Sequence, residues 1–234
     1  MPQQSSSIQF QPLGRVGLVD RVVTQLSEAI LQGRLKPGHR LSESVIAREM
    51  GVSRAPVREA ARLLESSGLV AYQPNRGFFV RQISAKELED LYDLRMAIET
   101  AAISRVIRDA PDDVLDGLQT CLDELRHVSA ASNNMQAQVQ ADMGFHRALI
   151  QASGNPRFVT IFEQIARETE LCIMVIGQLY DDPLWIADSH APILDALYAR
   201  DETRAIAILS GHLDQARRLV TGQFRALTAL SDAE

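Results

Sequence analysis

From Val19 to Leu35, apolar residues recur at helical spacing, with Val22, Val23, Leu26, Ile30 and Leu31 on one face. Gly33 and the turn Lys36-Pro37-Gly38 end that helix. A short helix with Val45, Ile46 and Met50 follows; Ser42 can cap it and Gly51 ends it. Ser53 can cap a third helix, Arg54 to Ser67, in which Ala61, Leu63 and Leu64 offer apolar packing. Pro56 falls in its first turn, where a missing N–H costs little. Leu69-Val70-Ala71-Tyr72 and Phe78-Phe79-Val80-Arg81 read as two short strands around the turn Pro74-Asn75-Arg76-Gly77. Helix, short helix, tight turn, helix and hairpin make a winged helix-turn-helix over residues 18–81.

Beyond Ile83 the alternating pattern vanishes. Ser84 and Glu87 have the spacing of a capping box. Six helical segments are predicted: 85–108, 112–130, 135–153, 156–178, 183–200 and 202–225. Pro111, Ser132-Asn133-Asn134, Gly154-Asn155-Pro156, Asp181-Asp182-Pro183 and Arg200-Asp201 separate them; Asn155 can cap the helix after it or touch a ligand, and capping is favoured. Short connections between helices of this length imply an antiparallel bundle over residues 82–230. The expected fold class is therefore mainly α: a winged helix-turn-helix followed by an all-α bundle.

Charge divides the chain at the same place. The 234 residues carry a net charge of −6, which taken whole argues against a nucleic-acid partner. Residues 1–82, however, hold 11 basic against 6 acidic side chains, and the remainder 13 against 24. Only the first part suits contact with phosphate. Cys121 and Cys172 lie in helical patterns without CxxC spacing and read as reduced thiols. No apolar run reaches the roughly 18 residues that span a bilayer. The start, MPQQSSSIQFQPLG, lacks a basic and apolar leader and reads as a disordered tail over residues 1–17. A cytoplasmic protein without a membrane partner is expected.

Two groups of side chains carry candidate chemistry. Arg54, Arg58 and Arg62, four apart, share one face of the helix after the tight turn. That position faces base edges in the major groove, and a guanidinium fork can hold both O6 and N7 of guanine. Arg76-Gly77 at the wing tip can approach phosphate or the minor groove. Such spacing also occurs on an ordinary solvated helix face; the turn, the wing and the local positive charge favour DNA. In the acidic part, Asp142 and His146 stack at i and i+4, His190 lies on the fifth predicted helix and His212 on the sixth. Facing helices of a bundle can gather one oxygen and three imidazoles, a set that suits zinc and other divalent ions. A single helical histidine is more often a surface or core residue, and an Asp/His pair at this spacing is as often a surface pair.

The stretches Leu41-Ser42-Glu43, Gly51-Val52-Ser53-Arg54-Ala55-Pro56-Val57-Arg58-Glu59-Ala60 and Glu65-Ser66-Ser67-Gly68-Leu69-Val70 resemble the DNA-binding domain of GntR-type bacterial regulators. Leu91-Tyr92-Asp93-Leu94-Arg95 with Glu99, the run Asp142 to His146, Ser153-Gly154-Asn155-Pro156, and His190 to Leu197 with His212 resemble the FadR-type effector domain, often called FCD. Six helices are similar to its smaller, VanR-like branch. The resemblance implies base or backbone contacts from Ser53, Arg54, Arg58, Arg76 and Gly77. Ser44 stands where some relatives carry an arginine, and Arg40 or Arg48 can take that place. It also implies a divalent metal, zinc first and nickel or manganese as alternatives, held by Asp142, His146, His190 and His212. Arg95 becomes the expected anchor of a small organic-acid effector, although an ion pair with Glu99 would also account for it. The expected function is a homodimeric repressor that binds a pseudo-palindromic operator in double-stranded DNA and responds to that acid. A metal-dependent hydrolase with a DNA-binding appendage and a pure metal sensor remain the alternatives.

Overall fold

The computed structural model describes residues 17–31, 33–131, 134–176 and 183–231. Apart from Gly17, the expected N-terminal tail lies outside the described residues, as do the last two positions of the predicted helix 156–178. The winged head opens with α1 (Leu18–Leu31), followed by β1 (Arg40–Leu41), α2 (Glu43–Glu49), α3 (Arg54–Ser66), β2 (Val70–Gln73) and β3 (Gly77–Val80). The three strands form an antiparallel sheet in the order β1-β3-β2. β1 is too short for a period-2 pattern and was not legible in the sequence.

One apolar face of α1 (Val22, Leu26, Ile30) packs on Val57, Ala60, Ala61 and Leu64 of α3 and on Phe78 and Val80 of β3. Those four α3 positions follow the i, i+3, i+4, i+7 rule. Leu63 falls outside that stripe and is 46% exposed, so it does not join the packing expected of it. Ser42 and Ser53 occupy the expected N-cap positions in extended backbone, but neither side chain makes a cap hydrogen bond.

Among the described residues six helices follow: α4 (Ala85–Asp109), α5 (Asp112–Ala131), α6 (Met135–Ala152), α7 (Pro156–Ile176), α8 (Pro183–Tyr198) and α9 (Glu202–Ser231). The capping box is present: the Ser84 hydroxyl accepts from the Glu87 N–H at 3.1 Å, and Glu87 Oε2 accepts from the Ser84 N–H at 2.8 Å. Asn134 caps α6 through Ala137, and Asn155 accepts from the Arg157 N–H at the start of α7. At the far end of α4 the Arg200 guanidinium donates to the carbonyls of Val106 and Ala110, the first of which also accepts from the Ala110 N–H at the C-cap. Leu115, Leu118 and Leu122 of α5 meet Phe145 and Leu149 of α6, Ile193 and Leu197 of α8, and Leu209 and Leu213 of α9 in one core. No helix among the described residues is long and apolar enough to cross a membrane.

Head and bundle meet through α7. Leu171 is 1% exposed and belongs to the apolar core of the head rather than that of the bundle. One turn earlier, Glu168 accepts a hydrogen bond from Arg81 at 2.7 Å. Gly68, at φ +79°, lies against Glu168; a Cβ there would stand 2.7 Å from Glu168 Cγ. Only glycine combines that backbone angle with that approach.

Candidate metal centre and DNA-reading surface

α6, α8 and α9 bring three histidines together inside the bundle. His146 and His190 are fully buried and His212 is partly buried. One ring nitrogen from each lies within 4.8 Å of the other two. His146 Nε2 and His190 Nε2 are 3.3 Å apart, a spacing compatible with two ligands of one tetrahedral ion whose metal–nitrogen bonds are about 2.0–2.1 Å. Asp142 Oδ1 stands 3.4 Å from His190 Nε2, beside the triad rather than within it. Phe145 walls the site, edge-on to both His146 and His190.

The partners of the other ring nitrogens set the tautomers. His190 Nδ1 donates to the Ile186 carbonyl at 2.9 Å. The Ser189 hydroxyl also donates to that carbonyl, so its oxygen accepts from His212 Nδ1 at 3.1 Å. His146 Nδ1 donates to Glu99 Oε2 at 2.6 Å. Each imidazole thus spends its Nδ1 proton outward and keeps the Nε2 lone pair for the centre. Burial pulls the His190 imidazole down to about 4 and that of His212 well below its usual range, so both are neutral and able to ligate at neutral pH. This donor set fits a divalent ion.

Arg95 and Glu99, on α4, border the triad and are buried at 2% and 0% exposure. Arg95 Nε donates to Glu99 Oε1 at 2.9 Å, so the ion pair weighed in the sequence is present. It leaves Arg95 Nη2 buried without a hydrogen-bond partner among the described residues. A buried cationic N–H of this kind is costly unless something accepts from it, and an anion answers that need. Burial alone would raise the Glu99 carboxyl, but His146 and Arg95 outweigh it and hold the group at about 2.

On the head, Arg54, Arg58 and Arg62 lie exposed along α3. Glu43, at the start of α2, spans the first two: its carboxylate accepts from Arg58 Nε and Nη2 at 2.9 and 2.7 Å and from Arg54 Nη2 at 3.2 Å. Those hydrogen bonds, chiefly from Arg58, hold its carboxyl below the usual range. Ser53 sits exposed at the N-cap of α3. At the wing, Arg76 is exposed, with its guanidinium 5.2 Å from the Phe79 ring centroid, and Gly77 takes φ +95°. Arg40 on β1 reaches the same tip, its Nη2 4.0 Å from where a Gly77 Cβ would stand. Arg54 and Arg58 share one surface, and Arg40, Arg76 and Gly77 share the wing. The bridge through Glu43 escaped sequence reasoning because its partners lie 11 and 15 residues away on another helix.

Comparison with known proteins agrees with this architecture. Residues 18–80 match the model for bacterial regulatory proteins of the gntR family, and residues 90–215 match the FCD domain. The HTH-type transcriptional regulator YdhC of Bacillus subtilis is 31% identical over 63% of this chain and 66% of its own length. The gluconate operon transcriptional repressor of the same organism is 28% identical over 82% of this chain and 79% of that protein. A solved GntR-type regulator from Rhodococcus sp. RHA1 superposes with a TM-score of 0.70 at 30% identity, over 87% of this chain and 97% of that one. The chain therefore belongs to the GntR family of bacterial transcriptional regulators, with an FCD domain behind its winged head.

Proposed function

We propose that this regulator is a homodimeric repressor whose operator affinity is set by a small carboxylate held between a divalent metal and Arg95. The observation that carries this reading is the buried Nη2 of Arg95, without a hydrogen-bond partner among the described residues, near three histidines that each bring a ring nitrogen within 4.8 Å of the other two. His146, His190 and His212, with Asp142 as the oxygen donor, would hold the ion, and zinc suits the set best. When bound, the metal supplies a Lewis-acidic partner for one carboxylate oxygen. Arg95 supplies a charge-assisted hydrogen bond to the acid.

Arg54 and Arg58 read base edges, while Arg40, Ser53, Arg76 and Gly77 position the head on the backbone and the minor groove. Two heads on a pseudo-palindrome match half-sites about one helical turn apart. The acid can shift operator affinity only by binding the DNA-competent and incompetent arrangements unequally. α7 is the element able to carry that difference. Its Phe162, Ile165 and Ala166 pack with Met143, next to Asp142, and with Ile98, next to Glu99. Its Glu168 and Leu171 hold the head. The hydrolase reading is weaker, because both Glu99 oxygens are already engaged and a general base at the site is otherwise wanting among the described residues.

The test is a thermal-shift screen of small organic acids on zinc-loaded protein, followed by operator titration with each hit. The operon controlled by the gluconate repressor relative makes sugar acids the first class to try. An acid that raises the melting temperature and weakens operator binding, only when zinc is present, supports the reading. Full release by zinc alone would favour the pure metal sensor. Operator affinity indifferent to metal and to every acid would overturn both.

A further inference from the structure

We propose that Glu99 is the positioning residue of this site: one carboxylate that fixes His146 as a metal ligand and, with its other oxygen, aims Arg95 at the bound anion. The inference rests on the metal-and-acid reading above. Glu99 is completely buried, and a carboxylate so placed is unstable unless positive partners and donors surround it. It has one on each oxygen. Oε2 accepts from His146 Nδ1 at 2.6 Å, the short distance of a charge-assisted hydrogen bond, and Oε1 accepts from Arg95 Nε at 2.9 Å.

Each bond does something specific to its partner. Holding the Nδ1 proton of His146 selects the tautomer whose Nε2 lone pair points at His190 Nε2, 3.3 Å away, and makes the imidazole a stronger donor to a cation. Holding Arg95 by Nε rather than through its terminal nitrogens fixes the guanidinium plane and leaves Nη2 unsatisfied. His190 and His212 are held outward only by neutral acceptors, the Ile186 carbonyl and the Ser189 hydroxyl. Among the described residues only the Nδ1 of His146 meets a carboxylate, so its contribution to metal affinity depends on Glu99 as theirs does not. Spacing along α4 placed Glu99 beside Arg95, but its reach to His146, 47 residues on, appears only in the folded chain.

Zinc affinity of full-length wild-type protein and of Glu99→Gln, measured by competition with a chromogenic chelator, tests the metal half. The variant keeps shape and volume while removing the charge. Zinc binding roughly 10-fold to 100-fold weaker is expected, the range for loss of a carboxylate behind a ligating histidine. Nitrogen-15 NMR of the zinc-loaded wild type gives a second readout that does not depend on the variant folding: His146 should carry its proton on Nδ1 and zinc on Nε2. For the Arg95 half, its Nε–H should exchange slowly with water in the wild type. Wild-type protein that takes up no zinc overturns the proposal and the underlying reading together. Zinc affinity in Glu99→Gln within twofold of wild type, zinc on His146 Nδ1, or a rapidly exchanging Arg95 Nε–H overturns the proposal and leaves the metal reading standing.

Discussion

Arg81 and Glu168, 87 residues apart in the chain, form a 2.7 Å ion pair that fastens the end of the wing to α7. Arg81 also reaches Glu87, inside the capping box of α4, so one guanidinium joins wing, linker and bundle. Leu171, one turn beyond Glu168, completes the apolar core of the head.

That seating predicts a coupled loss. Leu171→Ala removes a fully buried side chain and should cost about 2–5 kcal/mol in denaturant unfolding. Because the cavity lies in the core of the head, hydrogen exchange should rise in α1 and α3 more than in α5 and α8. A uniform rise across the bundle would show that Leu171 serves the bundle instead.

Arg58→Ala should weaken operator binding roughly tenfold to a hundredfold and relax the preference at one base position. Glu43→Gln should act differently. It frees two guanidinium groups from a carboxylate that repels phosphate, so binding to random-sequence DNA should strengthen and become more salt-dependent. Operator affinity unchanged in Arg58→Ala would remove that residue from base reading.

Replacing His190 and His212 together should abolish zinc uptake and the response to acid while leaving operator binding by the winged head. Elemental analysis after dialysis against zinc decides it: wild-type zinc content in the double variant would mean that the site lies elsewhere.

The stability of metal-free protein should depend on pH with a definite sign. His190 sits at about 4 in the fold because burial disfavours its charged form, against an unfolded value near 6.5. A group depressed by folding contributes stability that is complete above its unfolded value and is lost as the pH falls toward its folded one. His212, lowered in the same direction for the same reason, adds to the effect. Chelator-treated protein should therefore lose stability between about pH 6.5 and pH 4, by roughly 3 kcal/mol for His190 alone. Glu99, held at about 2, extends the loss below pH 4.5. A melting temperature constant from pH 7 to pH 4.5 would show these histidines to be solvated.

Much of this molecule was legible in one dimension because its signals are local. The i, i+3, i+4 stripe of α3, the Ser84–Glu87 box and the turn residues around Gly77 act over a few positions, where backbone geometry leaves few options. The same logic placed Asp142 above His146 and Arg95 beside Glu99. Spacing could not separate an ion pair at Arg95 from an anion anchor; the fold contains the ion pair, with Nε spent on Glu99, and leaves Nη2 over.

What spanned helices had to await the fold. A residue's periodicity reports which face is apolar but not which neighbour that face meets, so nothing in the chain assigned Leu171 to the core of the head, Glu43 to Arg58, or Glu99 to His146. The sequence by itself determined the helices, the wing, the basic head and a short list of candidate ligands. Tertiary packing decided which nitrogen of each histidine faces inward, because that choice belongs to the hydrogen-bond acceptor that a different helix, or the preceding turn, brings to Nδ1.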